Sequence, residues 1–187
     1  MSMFKKLTSA FIVSSTLLSP LAMAEKQGAT VTFEATVRNA SCVVSSTTEG
    51  AMVNWGVFTT QELEGVNAGT AIGDEKEFYL TLTECSADTQ AEDAVVSVYA
   101  SGATSAFDPT LFANSASKSM AVKLQAVDAD NNGVLLTPNK YQDVKLSHKL
   151  AENGFANIPM KASLIMVNKA LTGDSLKVPV TFTVAYN

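Results

Sequence analysis

Residues 178–187 read Val-Pro-Val-Thr-Phe-Thr-Val-Ala-Tyr-Asn. Val178, Val180, Phe182, Val184 and Tyr186 fall on one face of an extended chain, and Thr181, Thr183 and Ala185 fall on the other. Strict period-two alternation in β-branched and aromatic residues specifies a strand with one buried face. Such a strand is stable only when something covers that face. The cover is therefore expected to define both the fold and the function.

Similar runs recur along the chain. Thr30 to Val44 alternates, with Val31, Phe33, Ala35 and Val37 on one side and Thr32, Glu34, Thr36 and Arg38 on the other. Ala51–Phe58 is a short apolar run around Trp55, which reads as a core residue. Glu77–Cys85, Ala94–Ala100, Met120–Val127, Val134–Leu136, Val144–Leu146 and Ala162–Val167 follow. The breaks between them are rich in Gly, Asn, Asp and Ser, including Asn131-Asn132-Gly133 and Gly173-Asp174. Many short strands separated by turns predict an all-β, immunoglobulin-like sandwich.

The first residues read as a secretory leader. Lys5 and Lys6 precede an apolar stretch from Leu7 to Leu18, and Ala22-Met23-Ala24 forms a small-x-small cleavage site. The stretch is too short and too interrupted to span a membrane, so no membrane insertion is expected. Cleavage after Ala24 leaves 163 of the 187 residues and takes the net charge from −5 to −7, because two lysines and no acids are removed. Arg38 is the only arginine and there is no basic cluster, which argues against nucleic acid as a partner. Two cysteines, Cys42 and Cys85, are expected to form one disulfide in an exported chain.

Catalytic chemistry is missing. His148 is the sole histidine, set in Ser147-His148-Lys149 with no nucleophile motif around any serine. One histidine and two distant cysteines do not make a zinc or copper site, and no glycine-rich phosphate loop follows a strand. No enzyme activity, cofactor or metal is expected. Asp128-Ala129-Asp130-Asn131-Asn132-Gly133 matches half of a calcium loop, but the twelfth position is Asn139 and the flanks are strand-like, so a hairpin is the favoured reading. Asn39-Ala40-Ser41 is a glycosylation sequon on paper.

Three features together resemble a family. The alternating segment after the leader ends in Val37-x-x-x-x-Cys42; a strand, Phe78 to Cys85, ends in the partner cysteine; and the last strand has Gly173 fourteen residues before its end and Tyr186 next to last. In this order they resemble a pilin subunit of the chaperone–usher family, of the type 1 fimbrial class. The resemblance implies an incomplete immunoglobulin-like sandwich of six strands, with one disulfide and a seventh strand donated by a neighbour. It implies a leader at 1–24, an N-terminal donor-strand extension at 25–38 and a pilin domain at 39–187. Val31, Phe33, Ala35 and Val37 would be the donor residues. Val180, Phe182, Val184, Tyr186 and Asn187 would form the groove and chaperone-docking strand, with the Asn187 carboxylate anchored by basic chaperone residues. Many family members carry a glycine where this chain has Ala35.

The implied function is a structural shaft subunit of an adhesive fimbrium on the bacterial surface, exported through the periplasm. Its implied partners are further copies of itself, a periplasmic chaperone, an outer-membrane usher, and tip adhesin or adapter subunits. Three alternatives stay open at this point: a minor adapter pilin, a secreted β-sandwich binding module with a weak calcium site at Asp128, Asp130 and Asn132, and a Thr30–Val37 strand that completes its own domain.

Overall fold

The period-two runs become eight β-strands, with no helix, among the residues described by the computed structural model: 42–46, 52–84, 94–146, 155–169 and 173–186. All of these belong to one unit, Val37–Asn187. The strands are β1 (Val43–Ser46), β2 (Ala71–Thr83), β3 (Val95–Gly102), β4 (Met120–Val127), β5 (Gly133–Leu136), β6 (Tyr141–Lys145), β7 (Phe155–Met166) and β8 (Val180–Tyr186). They form a five-stranded sheet in the order β1-β2-β7-β4-β5 and a three-stranded sheet in the order β6-β3-β8. All pairings are antiparallel. The strand count exceeds the expected six because β1 and β5, each four residues long, pair as short edges of the larger sheet.

Alternation sets the core. Phe78, Leu80 and Leu82 of β2, Ile158 and Met160 of β7, and Leu124 of β4 point inward from the larger sheet. They meet Val96 and Val98 of β3, Val144 of β6 and Val184 of β8 from the smaller one. Each such side chain contributes roughly 1.5–3 kcal/mol on burial. Two smaller apolar clusters lie beside this core, one around Leu63, Ile72, Leu164 and Met166 and one around Leu111, Ala113, Ala121 and Ile165.

Three sequence expectations need correction. The run placed at Ala51–Phe58 forms no strand ladder over its described residues, 52–58. Gly56 adopts a left-handed backbone (φ 84°), and its N–H is taken by Asn54 Oδ1 at 2.7 Å. Trp55 is half-buried at the edge of the core, and its indole N–H donates to the Asp74 carbonyl at 2.9 Å. The strand placed at Ala162–Val167 begins seven residues earlier, at Phe155. Pro159 argues against that extension, because proline withdraws a ladder donor. It stands opposite Tyr79 of β2, one residue beyond the last β4 pair, Ala126–Met160, so on its other side β7 has no β4 partner to lose. β2 also starts earlier than Glu77, beyond a bulge that sets three of its residues, Gly73 to Glu75, against one of β7, Ser163, between the Ile72–Leu164 and Lys76–Ala162 pairs.

The Asp128–Gly133 segment is a hairpin turn joining β4 to β5, with Val127 opposite Gly133. Asn131 takes the left-handed conformation (φ 67°). Asp128 Oδ1 accepts the N–H groups of Asp130 (2.9 Å) and Asn132 (2.7 Å), so the carboxylate binds the turn's own donors. The Asn132 amide, assisted by the Asp130 amide and the nearby Lys145 charge, holds the Asp128 carboxyl below the usual carboxylate range. A depressed folded value means stability that is present above the unfolded value and lost as pH falls through the folded one. Asp128→Asn should therefore destabilise the protein at neutral pH. In urea melts followed into strong acid, the gap from wild type should close; a gap that persists there would contradict the assignment.

Candidate functional site

A continuous row of incompletely buried apolar residues lies along β8 and the segment leading into it. Leu176, Val178, Val180 and Phe182 are half-buried at period two, whereas Val184 is fully buried. The alternate residues Lys177, Pro179, Thr181 and Thr183 are exposed. β8 pairs with β3 from the Val96–Tyr186 pair to the Gly102–Val180 pair. Its other edge has no strand partner among the described residues. β1 is the corresponding edge of the larger sheet, and its Val44 packs against the same core. The floor between these edges includes Phe78, whose ring lies 6.1 Å from that of Phe182 at a tilt of 51°.

Among the described residues the arrangement is an apolar groove beside a strand edge that has no strand partner. A β-strand added along β8 would pair with the backbone groups of that edge, and every second side chain would enter the groove. The ionic groups lie elsewhere: Lys161 bridges Glu75 (2.9 Å) and Glu77 (3.7 Å) on the outer face of the larger sheet. That contact with Lys161 is the main cause that lowers the Glu75 carboxyl below its ordinary range. Among the described residues no cluster of acidic, histidine or cysteine side chains is suited to a metal ion.

Of the expected site residues, Val180, Phe182 and Val184 line the groove together. Tyr186 is paired through its backbone with Val96, while its side chain and Asn187 lie outside the described residues. Val31, Phe33, Ala35 and Val37, the leader, the Asn39 sequon, Cys85 and His148 also lie outside them. Cys42 sits half-buried at the start of β1, against the main core.

A family model for fimbrial proteins matches residues 31–187. The chain belongs to the fimbrial protein family. The fimbrial fold is also found in solved structures of low sequence identity. The P pilus rod subunit PapA superposes with a TM-score of 0.55 at 15% identity, covering 78% of this chain and 99% of that one. A chaperone–usher pilus subunit, from a structure concerned with rod uncoiling, superposes with a TM-score of 0.56 at 17% identity, covering 87% and 98%. No curated protein sequence matches.

Several site residues of this fimbrial protein escaped sequence reasoning. Leu176 extends the groove row two residues before Val178, and simple continuation of the period-two pattern would have found it. Gly102 would not have been found that way. It stands opposite Val180, and a Cβ there would lie 2.9 Å from the Phe112 ring and 3.2 Å from the Pro179 carbonyl oxygen. Phe112 is fully buried and the second contact is backbone, so neither yields cheaply. Gly102→Ala should cost about 1–3 kcal/mol in urea unfolding, the range for overpacking; a neutral result would mean that the entry to β8 is looser than its packing implies.

Proposed function

We propose that this chain is a structural shaft subunit of an adhesive fimbrium, assembled by donor-strand exchange with a periplasmic chaperone and an outer-membrane usher. Its role is mechanical rather than enzymatic. The observation that carries the reading is the half-buried row from Leu176 to Phe182 beside the edge of β8 that has no strand partner among the described residues. Family membership and the pilin-like fold support it.

On this reading the chaperone first adds a strand along β8, and the N-terminal extension of the next copy then replaces it, a form of β-augmentation known for chaperone–pilin complexes. Val31, Phe33, Ala35 and Val37 alternate with the period the groove requires. Burying three large side chains and an alanine contributes roughly 5–9 kcal/mol gross, before the backbone hydrogen bonds of a full strand. The process ends at the cell surface, after export through the periplasm under the 1–24 leader. Tip or adapter subunits complete the fibre.

A Cys42–Cys85 disulfide would tie the groove's β1 edge to the strand beside it. The Val43–Thr83 pair brings the start of β1 to the end of β2, from which the chain runs on to Cys85. A closed loop of this length constrains the unfolded chain by about 4 kcal/mol in the entropy model.

Replacing both Val31 and Phe33 with aspartate should leave chaperone binding intact and abolish fibres; normal fibres seen by electron microscopy would refute the donor assignment. Deleting Tyr186-Asn187 should abolish the chaperone complex and expose the subunit to periplasmic degradation. A stable complex recovered by co-purification would mean that β8 is not the docking edge.

A further inference from the structure

Asp174 and the turn at 114–119 point to a device that sets the position of the groove wall. Before Val180 the segment 173–179 makes no strand ladder. An extended chain without a ladder is free to slip, and a slip of one residue reverses its faces. Two side-chain contacts replace the ladder. Asp174 Oδ2 accepts the N–H groups of Lys118 and Ser119, each at 2.6 Å, and Asn114 Oδ1 accepts the N–H of Lys177 at 3.2 Å. Leu176, between these anchors, packs against all three apolar clusters.

The same turn holds the other end of the connection. The Ser119 carbonyl accepts the N–H of Val167 (2.7 Å) and Asn168 (3.3 Å) where β7 ends. Ser119 therefore uses its carbonyl for the chain leaving the larger sheet and its N–H for the chain entering the smaller one. The turn is itself braced, since the buried Ser117 hydroxyl donates to the Met120 carbonyl at 2.6 Å. The second carboxylate oxygen of Asp174 is buried with no hydrogen-bond partner among the described residues. Burial without a partner is costly, which marks this carboxylate as held for its Oδ2 contacts rather than for solvation.

We infer that Asp174 is a positioning residue for polymerisation: by clamping the crossover to the 118–119 amides it fixes the register in which Leu176, Val178 and Val180 meet an incoming strand. The inference rests on the strand-exchange function proposed above. Its partner is a second copy of this chain. The clamp governs how fast the groove accepts a strand, beyond any effect on the stability of the sandwich.

The test uses the mature chain, refolded at fixed concentration, with assembly followed as heat-dissociable ladders on unboiled SDS gels. Asp174→Ala should slow ladder growth by about tenfold or more, since it removes the charge-assisted hydrogen bonds to two backbone amides. Asp174→Asn, which keeps an acceptor oxygen, should recover most of the rate. Val122→Ala, a core change, is the control for stability alone, with rates compared at equal distance below each melting temperature. Slowing in Asp174→Ala no greater than in that control overturns the inference. Should Asp174→Ala fail to fold, Asn114→Ala decides: an assembly rate slowed by about threefold, the scale of a neutral hydrogen bond, is expected, and an unchanged rate overturns the clamp. Absence of ladders from the wild type would refute the proposed function itself, a different failure.

Discussion

The sandwich depends on one row of side chains that the chain cannot fully bury by itself among the described residues. From Leu176 to Val184 every second residue points toward the larger sheet, yet only Val184 is completely enclosed. One backbone edge of β8 is secured by β3, while the other has no strand partner among the described residues. The apolar contact of Phe182 with Phe78 joins the sheets across this gap. Among the described residues this surface combines incompletely buried apolar side chains with a strand edge that no strand covers, two features that proteins normally avoid together. In the function proposed above, that combination is the means of assembly.

Other parts of the fold keep this surface in place. Gly102 lets the Pro179 backbone and the Phe112 ring approach the end of β3. Asn139 secures the same point, donating from Nδ2 to the Gly102 carbonyl at 3.0 Å while its Oδ1 accepts the Gly102 N–H at 3.3 Å. The polar clamp at Asp174 fixes the chain immediately before the ladder begins. The Lys161–Glu75–Glu77 network lies on the outer face of the larger sheet, away from the apolar row of β8.

Much of the architecture was legible because alternation and burial have the same cause. A strand in a two-layer sandwich shows one face to the core, so β2, β3, β4 and β8 announced themselves through Leu80, Val96, Leu124 and Val184. The turn at Asn131-Asn132-Gly133 was legible because a tight hairpin needs residues that tolerate a left-handed backbone. The run at Ala51–Phe58 misled because apolar content alone does not make a ladder; its half-buried residues pack as a loop around Trp55. The first half of β7 was hidden by Pro159, whose missing donor matters only on an edge that has a partner, and that is a property of the neighbouring strand.

The sequence by itself determined the fold class and the inward row at Val180, Phe182 and Val184, because period-two patterning is a local property of an extended chain. It also held the resemblance that led to the fimbrial family. Only the tertiary structure decided which strands became edges, since an edge is defined by the absence of a neighbour and not by anything in the strand. It alone brought Asn114, Lys118 and Ser119 to Asp174 and Lys177, more than fifty residues away along the chain. Such contacts couple distant segments through hydrogen bonds to backbone groups, which every residue carries, and so they leave no mark in residue type.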